Sequence, residues 1–249
     1  KQGQTGYLTD SSLKDRAMFI TGQNFSAKCK QLAGNSSASY NTENTNILAF
    51  ERVEEPVNLE NNVSLTTTPI YIGYNPIRQK IWWYSPDEHP LLNKDSSYMF
   101  QNWKSIDNLD LSMMDTSVMT NSSYMFQNDN QIKTINLANW EMPINTNATE
   151  MFSNMTALRT IYVSDVWQND SITTSTNMFN NIPEIVGGNA TLYDANTIDK
   201  TRAASDKNGT EGYLTDITHA IDFTTTLSSD SKNVKIVNGF ISEKASAWM

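Results

Sequence analysis

The chain has 249 residues and a single cysteine, Cys29, so no disulfide can form within it, and neither a paired-cysteine redox motif nor a cysteine-rich zinc cluster is available. It has two histidines, His89 and His219, neither in a recognisable motif. A zinc site or a Ser-His-Asp triad would therefore need one of them to meet its partners by folding alone. His89 lies in Pro86-Asp87-Glu88-His89-Pro90, which is turn chemistry. No run of about 18 apolar residues is present to cross a membrane. The start, Lys1-Gln2-Gly3-Gln4, lacks the apolar stretch of a signal peptide, so the chain reads as a processed piece or as one whose export is directed elsewhere. Charged residues make up only 18%, with a net charge of −9 and a pI near 4.7. That balance excludes a basic nucleic-acid groove and a polybasic membrane patch.

Motifs of phosphate-binding, dinucleotide-binding, serine-hydrolase and zinc-protease type are missing as well. The adjacent carboxylates Glu54-Glu55 do not converge on one substrate, and the aspartates never fall into a calcium-loop pattern. No catalytic residue, metal site or cofactor is expected, and the chain is read as non-enzymatic. A hydrolase with its site between flank and repeats is the least favoured reading. Sequons such as Asn121, Asn147 and Asn154 fall inside the repeat described next and are read as accidental.

What the sequence does contain is a repeat. Met-Phe pairs occur at Met99-Phe100, Met125-Phe126, Met151-Phe152 and Met178-Phe179, with spacings of 26, 26 and 27 residues. Phe100 is followed by Ile106, Leu109 and Leu111; Phe126 by Ile132, Ile135 and Leu137; Phe152 by Leu158, Ile161 and Val163. The shared offsets of 6, 9 and 11 give an L-x-x-L-x-L pattern, in which alternate side chains of a short strand face inward. One such unit cannot bury its own apolar edge, so the expectation is an α/β solenoid with a short leucine-rich-repeat-like parallel sheet over 96–216. Ser96-Ser97-Tyr98 and Ser122-Ser123-Tyr124 are expected to open short helical turns that direct Met and Phe to the core. After Phe179 the pattern stops at Gly187-Gly188-Asn189, so residues 180–216 read as a terminal cap.

Residues 1–95 read as an N-terminal α+β cap. Phe25, Cys29 and Leu32 form a helical stripe ended by Gly34, and Thr68–Tyr74 with Lys80–Tyr84 make a hairpin. Alternation along the second arm should leave one of Trp82 and Trp83 partly exposed unless another segment covers it. Residues 217–249 read as a C-terminal β tail or linker, with strands at Ala220–Leu227 and Val234–Ile241 followed by Ala245-Ser246-Ala247-Trp248-Met249.

With its Met-Phe period and L-x-x-L-x-L phrase, the chain resembles the BspA-like bacterial surface proteins. The likeness takes in Phe19-Ile20-Thr21-Gly22-Gln23-Asn24-Phe25, Leu32-Ala33-Gly34, Thr68-Pro69-Ile70-Tyr71 and Gly212-Tyr213-Leu214-Thr215, and spans roughly residues 15–216. It implies display at a cell surface, adhesion to host matrix or to neighbouring cells, and no catalytic residues to carry over. The chain departs from the pattern in having three full repeats and no C-terminal sorting motif, which leaves the mode of anchoring open.

Strand geometry directs a binding surface to the positions between core residues: Asn108, Asp110, Thr134, Asn136, Thr160 and Tyr162, with Ser112, Ala138 and Ser164 beyond them. Most are short and polar, and Tyr162 is the one large side chain. The expected function is an extracellular, surface-displayed binding or adhesion module, taking a protein or glycan on a host or neighbouring cell, with no nucleic acid and no membrane insertion. The alternative is a structural subunit of an extracellular assembly, such as a filament, surface layer or virion appendage, self-associating through the tail.

Overall fold

The structure is a computed structural model that describes residues 15–218 apart from 145 and 208, together with the backbone of 236–237 and 240–241. The strands expected over Ala220–Leu227, the segment Ala245–Met249 and His219 lie outside the described residues.

Near the start is an 11-residue helix, α1 (Gly22–Leu32), which buries Phe25 and Cys29 and is followed by Gly34 at φ +103°. That backbone geometry, strained for residues with a Cβ, lets the chain turn away from the helix end. Next come β1 (Ala49–Arg52), β2 (Tyr71–Asn75) and β3 (Lys80–Tyr84). β2 and β3 form the antiparallel hairpin around Asn75-Pro76, and β1 lies parallel to β3. Both tryptophans of β3 are buried, Trp82 at 3% and Trp83 at 1% exposure, against the expectation that alternation would expose one. The reason is Gly73, opposite Trp82 in the ladder: a Cβ there would lie 2.2 Å from the indole, so the ring occupies the space a side chain would have filled.

The expected leucine-rich-repeat-like solenoid with one parallel sheet does not form. The strands of the repeat region are β4 (Asn108–Leu109), β5 (Thr134–Asn136), β6 (Thr146–Asn147), β7 (Thr160–Val163) and β8 (Ile172–Thr174), followed by β9 (Leu214–Asp216). They fall into separate small sheets. β4 joins the N-terminal strands to complete a mixed sheet ordered β2-β3-β1-β4, β5-β7-β9 make a three-stranded parallel sheet, and β6 pairs with β8. The N–H groups of Asp107 and Asp110 donate to Leu48 and Phe50, which attaches one edge of the first unit's strand to β1, and no ladder joins β4 to β5. Farther on, β10 (Ile236–Val237) and β11 (Phe240–Ile241) pair antiparallel.

The Met-Phe segments are turns, not helical turns. Two residues before each Phe stand Tyr98, Tyr124, Glu150 and Asn177, and two residues after stand Asn102, Asn128, Asn154 and Asn181, all with φ between +51° and +69°. A right-handed helix cannot pass through such residues. The 26-residue period is expressed in these turns. Phe100 N donates to Met125 O at 2.9 Å, Phe126 N to Met151 O at 3.0 Å, and Phe152 N to Met178 O at 3.0 Å. The asparagine amides form a ladder of their own: Asn128 Nδ2 donates to Asn102 Oδ1 at 2.8 Å, Asn154 to Asn128 at 3.1 Å, and Asn181 to Asn154 at 3.0 Å.

Beneath the turns the phenyl rings run in a row. Phe100, Phe126, Phe152 and Phe179 are stacked with centroids 5.7, 5.6 and 5.6 Å apart, and all four are fully buried. Phe50 meets Phe100 at one end at 5.3 Å, and Tyr213 meets Phe179 edge-on at the other, also at 5.3 Å. Near the first end two charged residues are buried. The ammonium of Lys30 on α1 donates to the carbonyls of Tyr40 and Gln101, the latter at 2.7 Å. Asp129, which replaces the apolar residue found at the equivalent place in the other units (Trp103, Met155, Ile182), accepts from Trp103 N at 2.9 Å. Burial pushes the Asp129 carboxyl well up and pulls Lys30 down to about 8, each partly countered by the other's charge.

Candidate binding surface

The three-stranded sheet is built from β-branched and aliphatic residues whose alternation fixes which side chains look outward. Ile135, Ile161 and Leu214 are paired across β5, β7 and β9 and buried. The neighbouring register, Asn136, Tyr162 and Thr215, lies on the opposite face, with Thr134 beside Thr160 one pair away. Tyr162 therefore stands on the central strand between an amide and a hydroxyl, half-buried. Asn136 is held by accepting from Ala138 N at 3.0 Å.

Four of the six expected surface residues, Thr134, Asn136, Thr160 and Tyr162, are brought together here. Asn108 and Asp110 are not on this sheet. Asn108 on β4 donates to Glu51 at 3.2 Å, and Asp110 turns back to accept from Ser112 N and Oγ at 3.1 and 2.7 Å. Thr215 was missed by sequence reasoning, because β9 arrives from outside the repeat. It is itself buried, and Gly212-Tyr213-Leu214-Thr215 carries no alternation that would have marked it, since Tyr213 and Leu214 both lie inside.

At the end of β7 the surface becomes charged. Lys207 bridges Asp165, at 2.7 Å, and Asp216. Burial alone would lift the Asp216 carboxyl, but donors from Lys207 and Thr218 outweigh it and bring it down to about 2, while the two carboxylates raise Lys207. Val163, Trp167, Asn169, Ser205 and Lys207 line a cleft of about 270 Å³ at this end. A second, of about 380 Å³, lies between the loops after β4 and β5, lined by His89, Ser112, Asp115, Asn139, Glu141 and Val166. Arg16 ties Asp115 to Asp87 across its back, at 3.0 and 3.1 Å.

This surface offers hydrogen-bond donors and acceptors on a rigid sheet. Among the described residues no group of three or more His, Cys, Asp or Glu could hold a metal ion, and no helix is long and apolar enough to cross a membrane. The Cys29 thiol is fully buried, and burial pushes its pKa up, away from nucleophilic thiolate. His89 is exposed in its turn. No curated protein and no solved structure matches the chain. Residues 93–193, which hold the Met-Phe units and β4 to β8, match the family described as Mycoplasma protein of unknown function, DUF285.

Proposed function

We propose that this chain is a non-enzymatic binding module displayed outside the cell, engaging a protein or glycan through the strip of Thr134, Asn136, Thr160 and Tyr162. The observation that carries the reading is the register on one face of the parallel sheet, Thr134 beside Thr160 and Asn136 beside Tyr162: one aromatic ring among short polar side chains. An aromatic with a polar tip amid small hydrogen-bonding groups is how recognition surfaces anchor a partner at low entropic cost. The resemblance to BspA-like surface proteins supports the same reading, whereas the matched DUF285 family is one of unknown function. Its test is adhesion of the chain to immobilised matrix proteins and to glycan arrays. Tyr162→Ala should weaken binding at least about tenfold while moving the melting temperature little. Equal binding by variant and parent removes the strip from the proposal.

A structural subunit of an extracellular assembly is the second reading, and the antiparallel pair β10–β11 favours it, since a strand pair in a tail can add to another copy's sheet. Light scattering compares the chain with a version ending at Thr218, which keeps the Thr218 contacts to Asp216. Assembly of the first alone supports the second reading; two monomers refute it.

A further inference from the structure

We infer that the cleft beside Trp167 is a subsite for one uncharged sugar ring. The inference rests on reading the chain as a binding module and assigns a ligand class to a place the strip does not include. At about 270 Å³ the cleft falls just below the range of pockets for drug-sized ligands, so it suits a single ring better than an extended chain.

Its chemistry narrows the class. The Trp167 indole, 8% exposed, contributes part of an apolar wall, and its N–H is already used, donating to Ala203 O at 2.9 Å, so what it shows the cleft is carbon against which a C–H of a ring can pack. Lys207, the one cation lining the cleft, is held between Asp165 and Asp216, so no unpaired positive charge is on offer to an anion. Around the wall stand groups that match hydroxyls: the Asn169 amide, the outward Asp165 carboxylate and the Thr210 hydroxyl. Ser205 lines the same cleft, but its Oγ is sealed from solvent and takes no part in the match to hydroxyls. The cleft begins at Val163 and Ser164, directly after Tyr162 on β7, so a longer glycan could seat one ring here and lay its remainder along the strip.

The experiment is saturation-transfer NMR on the whole chain with glucose, galactose, mannose and N-acetylglucosamine, and with sialic acid as the anionic control. At least one neutral sugar should receive transfer with millimolar affinity. Thr210→Trp, an exposed position whose larger side chain fills the cleft, should weaken it at least about tenfold. Asn169→Ala should weaken it less, and Tyr162→Ala should leave the free monosaccharide unaffected. Absence of transfer to every neutral sugar, transfer to sialic acid alone, or transfer that survives Thr210→Trp overturns the assignment. The two proposals fail separately. Adhesion that depends on Tyr162 without any sugar binding sinks the subsite and keeps the strip; cleft-dependent sugar binding with adhesion indifferent to Tyr162 does the reverse.

Discussion

Lys30 carries its charge into the core, and replacing it with methionine tests whether that charge is as costly as its surroundings imply. The side chain is fully buried, and burial lowers its pKa from the ordinary 10.5 to about 8. Between those two values the unfolded chain holds a proton that the folded chain has released. Stability therefore rises with pH across that window, by about 3 kcal/mol for a difference of this size. Cys29 works in the opposite sense: burial raises its thiol, so the folded chain keeps a proton that the unfolded chain loses above the ordinary value of 9.0, and stability falls. Parent and Lys30→Met both contain Cys29 and Asp129, so subtracting one stability curve from the other leaves the lysine together with its coupling to those two groups. The assay is urea unfolding followed by tryptophan fluorescence at steps from pH 7 to 10.5. The stability of the parent relative to Lys30→Met should climb by about 3 kcal/mol over that range, most of it above pH 8. At pH 7 the comparison mixes removal of a costly charge with loss of two hydrogen bonds to Tyr40 and Gln101, so the slope decides. A flat or falling difference refutes the account of Lys30 as a buried cation.

Phe126→Ala should cost about 3–5 kcal/mol by urea unfolding, because the ring is fully buried between Phe100 and Phe152 and the flanking rings cannot close the gap without leaving their own places. Asn128→Ala should cost about 2 kcal/mol, losing one donated and one accepted hydrogen bond and placing alanine at φ +69°. Asn128→Gly should recover the backbone part of that loss. Asp216, held at about 2, contributes stability that is present above its ordinary 3.8 and lost as pH falls between those values. Relative to Asp216→Asn, the parent should lose about 1 kcal/mol across that interval in acid unfolding, and less in high salt because Lys207 is partly exposed.

Much of the core was legible before any coordinates. The Met-Phe period marks the four stacked rings, and Ile135 and Ile161 stand inward where the strand pattern places them. The sheet arrangement was not legible. Nothing in Asn108-Leu109 announces that the strand will pair with β1, because that pairing depends on carbonyls of Leu48 and Phe50 about 60 residues earlier. The turns misled for a local reason. Ser-Ser-Tyr resembles a helix start, and a tyrosine with positive φ is uncommon, so Tyr98 and Tyr124 gave no warning. Asparagine two residues after the Phe of each Met-Phe pair did carry a signal, since it tolerates that backbone region better than most residues. The surface was half legible: Tyr162 and its three neighbours follow from alternation, whereas Thr215 and the wall of the Trp167 cleft come from segments distant in the chain.

The asparagine ladder sets rules for how a chain of this kind can change length. Each amide reaches one position in the unit before it, so duplicating or deleting a whole unit gives every amide a new partner identical to the old one. A single residue inserted between a Phe and its Asn moves that amide off the ladder and takes the next phenyl ring out of line. The one longer step, 27 residues from Phe152 to Phe179, takes up its extra residue at a bulge in the β6–β8 pair: Thr146 still faces Ile172, 26 residues on, whereas Asn147 faces Thr174, 27 on. Relatives should accordingly differ by whole units or by indels near Ile172 to Thr174, with the Phe-x-Asn spacing held constant.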